Sequence, residues 1–355
     1  MEHLTALVES TRHLPTPFLA VDGGVLDRNI ARQQASCDSA GVALRPHIKT
    51  HKSSEITGMQ LAAGAVGVTC ATLSEAIALG QAGCSTDVYV STPVFVDPPK
   101  QALVERALEL HDRLIMTVDS EAIARSVLTS TSAEVGIAVE VDSGLSRTGA
   151  HPSDAAALAG LVGSRLVGFA THGGHGYERG RAASAGEDER CALADAVAAL
   201  GRAPDVLSAG STPTAPHAMG PPVTELRPGT YVFGDHQQAL LGACRGDEVA
   251  AAVVATVIHR APGRFVIDAG AKSLTKDRTT WIESYGRVVG VPAAVIDRLN
   301  DNHGMVQAVA NVEVGERVVV VPNHICPVVN LFDRLWLARD SDVTSIEVDL
   351  RGHVS

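Results

Sequence analysis

The feature that most constrains this chain is a rhythm. Short β-branched runs alternate with stretches of helical period through its first two hundred or so residues. The runs fall at residues 16–22, 42–48, 67–71, 88–91, 114–118, 135–141, 166–170 and 206–208. Between them, residues 25–39, 54–63, 73–82, 100–110, 121–128, 153–162 and 186–200 read as helices. Gly41, Gly64 and Gly83 stand where three of them would end. Near-continuous apolar strands alternating with helices imply a parallel sheet buried on both faces. Eight strands suit a closed (β/α)8 barrel of the TIM type, with a doubly wound open sheet as the alternative. Aromatic residues make up only 3% of the chain, so the core is expected to be built of aliphatic layers.

After Gly234 the rhythm changes. Residues 248–259, 264–267, 286–289, 305–309, 317–321, 335–337 and 345–350 read as strands separated by turns. The expectation is therefore a barrel over residues 16–234, followed by a C-terminal mainly-β domain formed by residues 235–355 together with 1–15. A chain of 355 residues is long enough for both.

Charge narrows the partners. Lys and Arg total 29 against 40 acidic residues, a net charge of −11, which favours neither nucleic acid nor an anionic membrane. The six cysteines are scattered without a CxxC pair, as expected for reduced thiols in the cytoplasm. The first residues lack the apolar centre of a signal peptide. The longest apolar run, near residues 249–258, is about half of the ~20 residues needed to cross a bilayer. A soluble cytoplasmic protein acting on small molecules is expected.

In a barrel of this type, chemistry sits where strands give way to loops. Residues 44–52 gather Arg45, His47, Lys49, His51 and Lys52. In extended backbone, His47, Lys49 and His51 would share one face. A lysine held among cations and away from water has its ammonium form disfavoured, the state a carbonyl-condensing lysine needs. A solvated basic loop is the other reading. The turn at residues 141–149 carries Asp142 and Arg147, suited either to an anionic ligand or to a structural ion pair. Residues 171–177 place His172, His175 and Tyr177 on a glycine-rich loop that could stack a ring, act as a base or bind a metal. Gly210, Ser211 and Thr212 could cradle a phosphate or form an ordinary Ser/Thr/Pro turn. Arg227 and Tyr231 could face the same cradle or lie in a surface turn. His324 and Cys326 would share a face of an extended segment. Imidazole with thiolate suits Zn²⁺, and a strand end with a buried cysteine is the alternative. Residues 301–304 are better read as a hairpin turn than as a site.

In order along the chain, R-P-H-I-K-T-H-K, G-V-T-C-A-T-L-S-E-A, V-D-S-G-L-S-R-T-G, G-S-T-P-T, E-L-R-P-G-T-Y, D-N-H-G and P-N-H-I-C-P-V-V-N-L resemble one family. It is the D-serine dehydratase/D-threonine aldolase group of fold-type III pyridoxal-phosphate enzymes, distant relatives of alanine racemase. The resemblance covers most of the chain and implies a barrel followed by a β domain. It implies that Lys49 holds pyridoxal 5'-phosphate covalently, with Lys52 a neighbour. Gly210, Ser211, Thr212 and Tyr231 would form the phosphate site. His47, Arg147, His172 and Tyr177 would line the cofactor, with Lys49, His172 and Tyr177 as the catalytic set. His324 and Cys326 would hold a divalent metal, zinc first, with manganese or cobalt as alternatives. In this group the metal pair reads H-x-C in dehydratases and H-x-D in aldolases, so Cys326 implies dehydration of D-serine or a related D-3-hydroxy amino acid to a keto acid and ammonia. Retro-aldol cleavage to glycine and an aldehyde is the alternative. An amino-acid racemase and a non-catalytic cofactor-binding protein stand behind it. The resemblance also implies a homodimer.

Overall fold

The computed structural model describes residues 1–340 and 342–355. The chain divides into two compact units. One comprises Met1–Ala31, Thr50–Ser53 and Thr230–Arg351; the other comprises Arg32–Lys49, Ser54–Gly229 and Gly352–Ser355.

The second of these holds an eight-stranded parallel sheet. Its order is Ala43–Leu44, Glu225–Leu226, Val206–Ala209, Leu166–Ala170, Gly136–Glu140, Arg113–Val118, Asp87–Val90 and Val68–Cys70. The first and last strands meet. His47 pairs in parallel with Thr69, Val66 N donates to Leu44 O, and Thr69 N donates to Pro46 O. The sheet thus closes as the (β/α)8 barrel that the alternation implied. The strands are buried nearly throughout, which is why they read as apolar runs and not as half-polar alternations. Local signals fix the helices between them. Thr72 accepts from Glu75 N at the start of Leu73–Gln81, Asp97 caps the proline-led Pro98–Leu110, and Gly201 takes the left-handed conformation (φ +75°) that ends Ala182–Leu200.

The barrel interior also holds paired charge. Buried Arg45 donates to Glu225 at 2.7 Å and to Asp87 at 3.0 Å. Glu225 accepts from Ser208 at 2.6 Å. Arg227 donates to Ser208 and to Thr171 O, and lies over the Tyr89 ring at 5.2 Å. A buried guanidinium is tolerable because its donors are taken up in this way.

The other unit is mainly β. Its sheet runs Val295–Leu299, Gly304–Gln307, Arg264–Ile267, Ala251–Ala261, Phe18–Asp22, Arg334–Arg339, Asp342–Glu347, and Arg317–Val321 pairs with both Ala251–Ala261 and Arg287–Val288. Its core packs Leu4, Leu7, Leu14, Phe18, Val254 and Val319.

Three local expectations are corrected. Phe18–Asp22 is not a barrel strand: it pairs antiparallel with Ala251–Ala261 and parallel with Arg334–Arg339. A strand followed by a helix looks alike in either sheet, and here the helix Gly23–Ala40 follows. The strand that completes the eight is Glu225–Leu226, two residues long and too short to show a period. The backbone at residues 48–50 is not extended but forms a 3-10 turn, Ile48–Thr50. Likewise Cys326 lies in the first turn of the short helix Ile325–Val329, with His324 as its N-cap.

Candidate active site

The barrel unit gathers one set of the expected residues. Because the chain turns at Ile48–Thr50, the period-two argument for His47, Lys49 and His51 does not apply. His47 is fixed instead by its backbone N–H to Pro228 O (3.0 Å) and its Nε2 to Ser91 Oγ (3.3 Å), and its Nδ1 faces Lys49 N at 3.4 Å. Lys49 is partly exposed. Across the barrel sequence, His172 follows strand Leu166–Ala170. Burial holds its pKa well below the ordinary 6.5, and the positive charges of Lys49, Arg147, Arg227 and His175 push it further the same way. Lys49 and Arg147 are therefore both near enough to His172 for their charge to be felt there. Arg147 is exposed on a turn whose Asp142 does other work: its Oδ1 accepts from Gly144 N and Ser146 N. Tyr177 ends the 3-10 turn Gly174–Tyr177, and His175 Nε2 lies 3.1 Å from Asp188.

The Gly210–Thr212 loop follows strand Val206–Ala209. Gly210 has φ +87°, and a Cβ there would lie 2.8 Å from Leu226 Cδ2, so the turn requires glycine. Ser211 and Thr212 are buried. Ser211 N donates to Thr214 Oγ1 (2.9 Å), and Gly210 N donates to Glu189 (2.8 Å). Glu189, fully buried on helix Ala182–Leu200, also accepts from Gly173 N (2.8 Å) and Thr214 Oγ1 (2.7 Å). Burial raises its carboxyl pKa, while those hydrogen bonds and Arg227 oppose the rise.

The chemistry of these groups fits pyridoxal phosphate. Lys49 supplies the amine, and Ser211 and Thr212 supply buried hydroxyls on a glycine-opened turn. Two further buried oxygens, Thr171 Oγ1 and Glu140 Oε2, have no partner among the described residues and suit a polar ring.

The β unit gathers the second set. His324 Nδ1 lies 2.6 Å from Asp277 Oδ2. Burial alone would lower the His324 pKa, but Cys326, Asp277 and Asp235 outweigh it and push it up to about 11. The same hydrogen bond holds Asp277 below the usual carboxylate range. Cys326 Sγ lies 3.2 Å from Thr50 Oγ1, the residue after Lys49 in the chain, and 3.8 Å from Thr230 Oγ1. Nδ1–H of His324 is given to Asp277, and Cys326 is a second hydrogen-bond partner of the ring. An imidazole and a thiol, with a carboxylate behind the imidazole, could hold a divalent metal once both donors have given up their protons. Among the described residues no group of three or more His, Cys, Asp and Glu side chains is arranged to hold a metal. Two side-chain donors alone would leave other positions of a bound metal open.

Asp235 fixes the helix that carries Cys326. It is fully buried and accepts from Gln238 N (2.7 Å) and Ile325 N (3.1 Å), and burial raises its pKa to about 6. Lys52 is pinned in this unit: Nζ donates to Asn330 Oδ1 (3.0 Å), its carbonyl accepts from Leu350 N, and its φ is +50°. Tyr231 is buried in the turn Thr230–Val232, which belongs to the β unit. Residues 301–304 belong to a hairpin, with Asn300 N donating to His303 O.

Sequence reasoning missed Glu189, Asp235 and Asp277. Glu189 and Asp277 act through partners distant in sequence, and Asp235 caps its own helix at Gln238 N but also reaches Ile325 N, 90 positions away.

Comparison with known proteins gives the lineage. Residues 21–237 match the family model described as alanine racemase, N-terminal domain, and residues 250–338 match the putative serine dehydratase domain. The chain is 35% identical to D-threo-3-hydroxyaspartate dehydratase of Delftia sp. (strain HT23), over 88% of this chain and 91% of that one. It is 32% identical to D-threonine aldolase of Arthrobacter sp, over 95% and 93%. A solved D-threo-3-hydroxyaspartate dehydratase, a cysteine-to-alanine mutant in the metal-free form, superposes with a TM-score of 0.86 at 32% identity, covering 96% of this chain and 98% of that one. No helix among the described residues is long and apolar enough to cross a membrane. The chain belongs to the alanine racemase-like family in which a barrel is joined to a serine dehydratase domain, and it is a pyridoxal-phosphate-dependent lyase.

Proposed function

We propose that this lyase removes water from a D-3-hydroxy amino acid, D-serine or a relative carrying a second carboxylate, and releases a keto acid and ammonia. The observation that carries this reading is the His324–Cys326 pair, a thiol beside an imidazole, with Thr50 against the thiol and Lys49 next to Thr50 in the chain. Bound pyridoxal phosphate supplies an electron sink at the substrate α-carbon. Lys49 would hold the cofactor through Nζ, and the same Nζ, once free, would be the base for the substrate α-proton. Ser211 and Thr212 bind the phosphate. His172, kept neutral by burial and by surrounding cations, lines the ring and leaves proton transfer at the α-carbon to Lys49. His324 Nε2 and Cys326 Sγ would hold a divalent metal, zinc as the first choice, which supplies Lewis acidity for the departing hydroxyl. The enamine released by loss of water hydrolyses to the keto acid.

Support for the dehydration reading comes from the 35% identical dehydratase. A 32% identical aldolase keeps retro-aldol cleavage as the second reading. Product analysis separates them. Metal-replete protein is expected to give a keto acid and ammonia in equal amounts from D-serine or D-threo-3-hydroxyaspartate. Glycine and an aldehyde, with no keto acid, would contradict the proposal.

A further inference from the structure

The carboxylate of Glu189 has no place in the chemistry described so far, yet it is fully buried and its two oxygens are engaged on both sides. Oε1 accepts from Gly173 N and from Gly210 N, both at 2.8 Å, and Oε2 accepts from Thr214 Oγ1 at 2.7 Å. One side chain on helix Ala182–Leu200 thus ties together two separate loops. The first carries His172, and the second carries Ser211 and Thr212. The close approach is built into the sequence. A Cβ at position 173 would lie 2.6 Å from Glu189 Oε2, so only glycine fits there. The three neighbours supply two N–H groups and a hydroxyl, which match an ionised carboxylate, an acceptor on both oxygens.

The hydrogen-bond directions have a consequence for Ser211. A hydroxyl has one proton. Thr214 gives its proton to Glu189 and accepts from Ser211 N at 2.9 Å. In the 3.0 Å contact between Ser211 Oγ and Thr214 Oγ1, the donor must therefore be Ser211. Its proton is the mobile one in the loop, and it can turn to a phosphate oxygen. A carboxylate placed under an anion site works against the anion by its charge, so what it contributes has to be geometry and proton direction.

We propose that Glu189 is the positioning residue of the phosphate cradle: it locks the loops of His172 and of Ser211–Thr212 together and leaves Ser211 Oγ–H as the donor for phosphate. This rests on the reading of Gly210–Thr212 as the cradle.

The test is cofactor binding to the full chain, followed by the dissociation constant and by the ³¹P resonance of the bound phosphate. Glu189→Ala is expected to weaken binding about tenfold or more, since three donors lose a charged acceptor, and to move the resonance toward that of free cofactor. Glu189→Gln keeps an oxygen for the two N–H groups, but its amide now donates to Thr214 and turns the Thr214 proton onto Ser211 Oγ, so Ser211 would give its own proton to phosphate from an oxygen that also accepts. Affinity should be largely restored while the resonance differs from that of the parent, a pattern that a merely structural role would not give. If Glu189→Ala does not fold, the Glu189→Gln resonance decides, and an unmoved resonance overturns the proposal. A resonance moved by Ser211→Ala but by neither Glu189 variant overturns the role of Glu189 alone. A resonance unmoved by Ser211→Ala overturns the cradle reading and this inference with it.

Discussion

His172 shows how one residue's surroundings set its chemistry. Its ring sits among the charges of Lys49, Arg147, Arg227 and His175, and burial adds to their effect, so its pKa lies well below 6.5. The sign for stability follows. As pH falls below 6.5, the unfolded chain takes up this proton first, so stability that is complete above that value declines as the lowered pKa is approached. His172→Gln should lose that part of the acid sensitivity. Denaturant midpoints at pH 7 and pH 5 should differ less in the variant than in the parent. An equal difference would mean that His172 is not held neutral. The sequence showed His172 on a glycine-rich loop but not its charge state, because three of the four charges around it come from other strands' loops.

At the scale of an element, the proposed metal pair depends on what stands behind it. The short helix Ile325–Val329 carries Cys326, and Asp235 holds its first N–H. Asp277 accepts a hydrogen bond from His324 Nδ1 at 2.6 Å, which fixes the ring's orientation. Outer carboxylates of this kind are worth about 10–100-fold in metal affinity. Asp277→Asn should therefore weaken zinc binding by about that factor, read by competition with a chromogenic chelator, while cofactor absorbance is retained. Unchanged affinity would show that Asp277 does not orient the ring. Legibility divided along the same line. His324 and Cys326 were visible as donors two positions apart, although the segment is helical at Cys326 and not extended as their spacing suggested. Asp277 was invisible because it lies 47 positions away. The barrel strands were legible because burial on both faces writes an apolar run. Glu225–Leu226 was not, because two residues carry no period. Phe18–Asp22 was legible as a strand and misplaced, because pairing partners are not written in a strand's own residues.

At the scale of the molecule, the proposed site residues are divided between the two units of the chain. The barrel unit holds Lys49 and the proposed cradle, and the β unit holds His324 and Cys326. The chain crosses from one to the other at the peptide bond between Lys49 and Thr50. This crossing explains the basic stretch at residues 44–52. Arg45 is paired within the barrel, Lys52 is pinned to Asn330, and Lys49 is left partly exposed beside His47. The central claim is that Lys49, and not its neighbour, holds the cofactor. Borohydride reduction of the cofactor-loaded protein, followed by peptide mapping, tests it most directly. The account predicts the pyridoxyl group on Lys49, with Lys52→Ala still labelled and Lys49→Ala unlabelled. Label on Lys52 in the parent protein would contradict it.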